Sequence, residues 1–302
     1  MLSLNRQTAI FLVVAILTIF GSIFLPRAPM IVELLVTGAL IVFLGVPHGA
    51  LDTLYIRKVL GIRSKPQIGL TLVAYVAISV AVIWFWIINP LGFLIGFLVA
   101  SGFHFSGDPE KGATIPTRLI VGMAVIVLPS ILHASELIHL YGLLTHPSAA
   151  RVVVAISVPI AYAVVPFGAA AILFEMAQRR SKIAIELLAV ILLATFAPPL
   201  LAFTVYFCLM HSARHIIRTV AIVDTSRRDF ILECIVPMAG VLIVGGVAWS
   251  LQSTISIDAK AIQILFVILA ALTAPHMMIV EPVRFRGWQD APAVSLSRIE
   301  KS

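Results

Sequence analysis

The chain has 302 residues, of which 61% are hydrophobic and only 12% charged, against about 45–50% and about 25% in a soluble domain. That balance excludes the soluble globular classes and points to a polytopic membrane protein. The 21 lysines and arginines against 14 acidic residues give a net charge of +7, an excess that cytoplasmic loops facing anionic lipid account for. No basic run is interleaved with aromatics, so nucleic acid is not an expected partner.

The N-terminal stretch MLSLNRQTAIFLVVAILTIFGSIFL has one arginine before a long apolar run and no A-x-A-like cleavage site after it. It therefore reads as an uncleaved first span rather than a signal peptide. Crossing the hydrocarbon core takes about 20 apolar residues. Apolar runs bounded by proline, glycine or charge begin near Ile10, Met30, Ile68, Leu91, Leu119, Val152, Ile183, Pro199, Phe230 and Ala261. The fourth (Leu91 to Phe105) and the seventh (Ile183 to Ala197) are short. The expected fold is an all-α, polytopic transmembrane helical bundle of about ten spans, or eight or nine if a short run is re-entrant, forming a single integral-membrane domain over residues 1–302. Asn89-Pro90 and Pro198-Pro199 predict helix boundaries, because proline removes a donor and restricts the residue before it. Cys208 and Cys234 lie inside apolar segments without C-x-x-C spacing and read as inert core residues, with no disulfide framework.

Orientation follows from the loops. The second connection holds Arg57, Lys58, Arg63 and Lys65; the sixth holds Arg179, Arg180 and Lys182. The eighth holds Arg214, Arg218, Arg227 and Arg228, and the tail Arg284 and Arg286. Odd-numbered loops are poor in basic residues, with Arg27, Arg151 and Lys260 as the main ones. The positive-inside rule then puts both termini in the cytoplasm and the chain in the cell (inner) membrane as a multi-pass protein.

Ionisable side chains at membrane depth are costly and mark functional sites by default. His211 and His215 are four residues apart, about one helical turn, so both imidazoles project from one face of a regular helix. His48 ends the second span, His104 the fourth, and His276 lies late in the tenth. Those spans all run outward-to-inward, so the five histidines are expected in one layer near the cytoplasmic face. His133, His139 and His146 follow the fifth span, fall at the opposite side, and read as ordinary surface or loop residues. Taken singly, His48 or His104 reads as an interhelical hydrogen bonder; the pair and the shared depth carry the metal reading.

Neutral imidazoles suit Fe, Zn, Cu or Ni rather than Mg or Ca. A ligating histidine usually donates its second N–H to a carboxylate or carbonyl. Asp52, Asp108, Glu186 and Glu233 fall in the same layer as candidate acceptors. An intramembrane zincin is excluded, since Ser212 stands where H-E-x-x-H needs glutamate. The chain also lacks the several histidine clusters of a membrane di-iron desaturase, a G-x-S-x-G elbow and a phosphate-binding glycine loop. Glu33 and Glu136 lie in the other leaflet, which argues against one continuous proton relay.

Four segments, GVPHGALDTLY, FHFSGD, IELLAVILLATFAPPLLAFTVYFCLMHSARH and ALTAPHMMIVEP, resemble the bacteriorhodopsin-related-protein-like (Brp/Blh) family. These are membrane-embedded β-carotene dioxygenases of bacteria and archaea that make retinal. The resemblance runs from about Leu44 to Pro282, and P-H-G-A-L-D and Y-F-C-x-x-H-S-x-R-H are its most specific strings. It implies an Fe(II) site held by His48, His104, His211 and His215, with His276 in an outer or pocket role; Asp52, Asp108, Glu186 and Tyr206 join it there on the reading of the residues themselves. It implies cleavage of the central double bond of β-carotene by O2 into two molecules of retinal, without nicotinamide or flavin. A retinal-binding rhodopsin would be a downstream consumer. Ser106 and Val121 depart from the family, which often has glycine and histidine there. Substrate would enter sideways from the bilayer. Phe103, Phe105, Tyr206 and Phe207 are candidate tunnel residues that read more readily as helix packing, while Gly45, Gly49 and Gly102 would let helices approach closely. The alternatives are a membrane metal or proton transporter using the same histidine layer, and a non-catalytic subunit holding a metal or b-type haem.

Overall fold

The computed structural model describes residues 3–62, 64–223 and 227–289, and every regular element in them is a helix. Among the basic residues used for orientation, Arg63 and the side chains of Arg227, Arg284 and Arg286 lie outside the described residues.

The first helix, α1 (Leu4–Phe24), begins where Ser3 Oγ accepts from Arg6 N, relieving one of the orphan donors of a helix start. Helix α2 (Met30–Lys58) is a single span that changes winding midway. Helix α3 (Lys65–Ile88) is capped by Ser64, and α4 (Pro90–Phe105) by Asn89, whose side chain accepts from Gly92 N at 2.9 Å. Helices α5 (Ile115–Leu132) and α6 (Ala134–Leu144) come next, then α7 (Pro147–Ala177) and α8 (Ser181–Phe196). Helices α9 (Pro199–Ala221), α10 (Arg227–Leu251) and α11 (Ile257–Gln289) complete the bundle. The starts at Pro90 and Pro199 lie at the expected boundaries: proline's missing N–H costs nothing at a first helical position.

Among the described residues, eight helices are long and apolar enough to cross a membrane. Helices α4 and α8, with 16 residues each, are the two runs expected to be short. Helix α6 was not anticipated as an element; at 11 residues it falls well short of the roughly 20 a crossing needs. The windows of α3 and α10 contain no buried residue, which puts both at the lipid-facing edge. A central core joins α1, α5, α8 and α9 through Phe11, Ala124, Leu128, Leu187 and Val205. A second cluster joins α4, α9 and α11 through Phe93, Leu94, Leu200 and Ile262.

Two winding changes flank the histidines. At Ile41–Gly45 the helix runs with i-to-i+5 bonds, Val46 N donating to Ile41 O at 2.8 Å, and the same winding recurs at Tyr206–Ser212. Such π segments insert an extra residue per turn and are frequent at functional sites. Here each one sets the direction of a histidine, His48 just after the first and His211 within the second.

Arg214, grouped by sequence with the basic residues of the eighth loop, is instead wholly buried within α9. It serves the interior and carries no information on topology. Lys182 and Arg180 do sit at helix ends, pairing with Glu110 and Glu175 respectively.

Helices α4 and α5 touch backbone to backbone. A Cβ built at Gly122 would run into the carbonyl of Gly102, whereas one at Gly102 would meet only ordinary contacts, so the approach exists because Gly122 lacks a side chain, as small residues permit in membrane helix packing. Of the other small residues, Gly45 lies against the Phe207 ring, while Gly49 has open space around its Cβ position. Since α4 carries His104, Gly122→Ala is expected to push that histidine away and to destabilise the fold by about 1–3 kcal/mol. Thermal unfolding of the detergent-solubilised variant beside the unsubstituted chain measures the loss.

Candidate metal centre

Four helices converge on one buried cluster. His48 comes from α2, His104 from α4, His211 and His215 from α9 and His276 from α11. Ring centroids lie 4.7 Å apart for His104–His211, 5.0 Å for His48–His211 and 5.1 Å for His48–His276. His215 joins from the edge, 5.2 Å from His276 and 5.6 Å from His48, and is only partly buried. The one-layer expectation for the five histidines is therefore realised as direct ring contact. His133 belongs to a separate group with Arg27 and Glu136, where burial pushes its imidazole below the ordinary value; His139 and His146 lie on α6 and just before α7.

Each of the four most buried rings uses its Nδ1 on an outer acceptor. His104 Nδ1 donates to Glu281 Oε1 at 2.7 Å, and His276 Nδ1 to Asp52 Oδ1 at 2.7 Å. His211 Nδ1 lies 3.0 Å from both oxygens of Asp108. His48 Nδ1 donates to the Gly45 carbonyl at 2.6 Å, and Ser212 Oγ, 2.9 Å from the same nitrogen, donates to that carbonyl as well. An acceptor on Nδ1 keeps the proton there and leaves Nε2 with its lone pair. The Nε2 atoms of His211 and His276 are buried and take no hydrogen bond among the described residues. One nitrogen each from His48, His104 and His276 lies within 4.8 Å of the others.

Buried polar atoms are almost always satisfied, so inward-facing imidazole nitrogens without hydrogen bonds need an explanation. A bound cation provides one. Imidazole donors backed by carboxylates are the arrangement that orients ligands and raises their basicity, and the donor set fits Fe, Zn, Cu or Ni.

A further layer holds the acceptors. Tyr206 donates to Asp108 Oδ2 at 2.7 Å and Tyr75 to Asp52 Oδ2 at 3.1 Å. Arg214 donates to Glu186 at 2.6 and 3.1 Å, to Gln7 Oε1 at 3.1 Å, to Thr8 Oγ1 at 3.3 Å and to the Asp108 carbonyl at 3.0 Å. Arg218 donates to that same carbonyl at 2.9 Å. Two arginines thus hold the turn from which Asp108 reaches His211.

Of the sequence candidates, Asp52, Asp108 and Tyr206 back the cluster. Glu186 pairs with Arg214 rather than with a histidine, and Glu233 pairs with Arg57 and Thr53. Phe105 and Phe207 line the cavity beside the histidines, whereas Phe103 is 42% exposed on the outside of the bundle and Tyr206 is committed to Asp108. Sequence reasoning missed Glu281 and the Gly45 carbonyl. Glu281 stands five residues after His276 in the apolar MMIVEP string, and a lone carboxylate at that depth was the available signal.

Fold and site together define a polytopic membrane protein with an interior, carboxylate-backed polyhistidine centre. Residues 39–283 match the family described as β-carotene 15,15'-dioxygenase, and the chain belongs to that family. It is 28% identical over 254 residues to a β-carotene 15,15'-dioxygenase of an uncultured marine bacterium (66A03), covering 80% of this chain and 91% of the relative. No solved structure matches.

Replacing Arg214 would strand Glu186 as a buried, uncompensated charge, a loss of about 3–5 kcal/mol. Arg214→Met is therefore expected to unfold well below the unsubstituted chain, and Arg214→Met with Glu186→Gln to recover part of the difference. Thermal unfolding of the two variants decides it.

Proposed function

We propose that this chain is an integral-membrane dioxygenase of the cell (inner) membrane, both termini cytoplasmic, that cleaves β-carotene at its central double bond with O2 to give two molecules of all-trans-retinal. The observation that carries the reading is the set of imidazoles converging with their Nδ1 protons taken up by outer acceptors, in a chain of the β-carotene 15,15'-dioxygenase family.

His48, His104, His211 and His215 are the proposed holders of Fe(II). The carboxylate behind His276 and the closeness of its nitrogen to those of His48 and His104 support its inclusion beside them. Iron(II) would supply the unpaired electrons that let triplet O2 react with a closed-shell alkene. The remaining work belongs to the chain. Asp52, Asp108 and Glu281 keep each imidazole in the tautomer whose lone pair faces inward. The aromatic wall of Phe105 and Phe207 presents an apolar surface to the polyene and keeps water from the reacting carbons. No proton donor is required: the C=C bond and the O=O bond both break, each alkene carbon takes one oxygen atom, and the eight bonding electrons of the two broken double bonds form two C=O bonds. A retinal-binding rhodopsin would be the consumer of the product.

Expression in a β-carotene-accumulating bacterium, beside His211→Ala, tests the reaction. Loss of orange colour with retinal in the extract is expected for the unsubstituted chain alone. Persistent β-carotene despite confirmed membrane expression and iron supply would sink the assignment and bring other carotenoids, then metal transport, forward. Asp108→Ala, which frees His211 Nδ1, is expected to weaken iron binding by about 10–100-fold, read as metal retained per chain after dialysis against a graded chelator.

A further inference from the structure

An apolar cavity leads away from the histidines. Phe97, Ser101 and Phe203 line both it and the smaller space beside His48, His104 and His211, so the two adjoin. Three helices build it as ladders, each ending on a histidine. On α4, Leu94, Phe97 and Ser101 lead to His104; on α9, Leu200, Phe203 and Phe207 lead to His211; on α11, Ile262, Phe266 and Leu269 lead to His276. Spacings of a turn or so keep each ladder on one helical face. Leu94 precedes His104 by ten residues, about 15 Å at the α-helical rise. The far end is lined by α6, through Leu137, Leu140, Tyr141 and Leu144.

Two polar groups interrupt the apolar lining. Ser101 is buried, and its hydroxyl makes no hydrogen bond among the described residues. Tyr141 lines the far end, and its hydroxyl likewise makes none among the described residues. A tyrosine at such depth ordinarily finds a partner for its O–H, so the far wall combines an apolar body with an unused hydrogen-bonding group.

We propose that this cavity seats one half of the carotenoid, with its terminal ring against Leu140 and Tyr141, so that the depth from α6 to the histidines selects the central double bond and the Tyr141 hydroxyl recognises an oxygen substituent on the ring. The proposal rests on the carotenoid-cleaving function and adds to it the source of its regiochemistry and a substrate class, the ring-hydroxylated carotenoids. A half-carotenoid is a rigid rod with a bulky end. A rod that stops against a wall presents the same bond to the same place each time, which is the geometric condition for one cleavage site.

The test uses the purified full chain in nanodiscs with β-carotene and zeaxanthin, its ring-dihydroxylated counterpart. Leu140→Trp shortens the cavity, so the ring stops nearer the histidines and the bond presented moves away from the centre of the polyene. The expected products are an unequal pair of aldehydes, one shorter and one longer than retinal, identified by mass. Symmetric cleavage at an unchanged kcat/KM would overturn the depth assignment. Tyr141→Phe removes only the hydroxyl: the ratio of kcat/KM for zeaxanthin over β-carotene is expected to fall by about two- to tenfold, the worth of one hydrogen bond, and an unchanged ratio would overturn the ring-recognition role.

Carotenoid binding to the iron-free protein, measured by induced circular dichroism of the polyene, separates the two levels. Should Leu140→Trp fail to fold, the Tyr141→Phe ratio and its binding counterpart still decide. Binding of both carotenoids that neither variant weakens would overturn the proposal. Failure of the unsubstituted iron-loaded chain to cleave either carotenoid would overturn the reaction on which it rests.

Discussion

A buried imidazole has two nitrogens to satisfy and almost no water with which to do it. In this protein that constraint organises the interior: one nitrogen of each deeply buried ring turns outward to an acceptor, and the other turns inward to its neighbours. The acceptors need anchoring in turn, because a carboxylate in a medium of low dielectric is costly unless it is paired or hydrogen-bonded. Tyr75 and Tyr206 supply O–H donors to Asp52 and Asp108. Arg214 and Arg218 hold the Asp108 backbone. The polar network therefore reaches from the cluster to α1 and α8, through Gln7, Thr8 and Glu186.

The network imposes demands on the helices that carry it. The π segments at Ile41–Gly45 and Tyr206–Ser212 face each other, and Gly45 leaves room for the Phe207 ring. The extra residue in each segment rotates the rest of its helix about the axis, so His48 and His211 meet at 5.0 Å. The glycine contact between α4 and α5 brings the helix of His104 close to the core built by α1, α8 and α9. Polar satisfaction, winding and close packing thus act on the same few residues, and α3 and α10 remain outside as a lipid-facing layer.

Much of this was legible from residue order. Apolar runs of near-membrane length located the helices, prolines marked their starts at Pro90 and Pro199, and the shared depth of five histidines announced the cluster. Short range is what makes those features readable: run length, capping and periodicity are properties of neighbouring residues. The acceptors were legible where they lay one turn from their own helix's histidine. Asp52 and Asp108 were found that way, although each crosses to a different histidine, Asp52 to His276 and Asp108 to His211. Shared depth alone put Glu186 among the candidate acceptors, and the buried Arg214 takes it instead.

By itself, then, the sequence determined that this is a helical membrane protein, which ten segments are its main helices, which family it belongs to and which residue type forms its centre. Composition, hydropathy and specific motifs carry that information without reference to distant partners. Only the tertiary structure decided who backs whom. His104 meets Glu281 across 177 positions, and Arg214 meets Gln7 across 207. It also decided that His276 stands among the other histidines, and that three ladders of apolar residues enclose one cavity ending on α6. Such contacts depend on how helices rotate and cross, which is set by packing summed over the whole bundle and leaves no trace in any one segment.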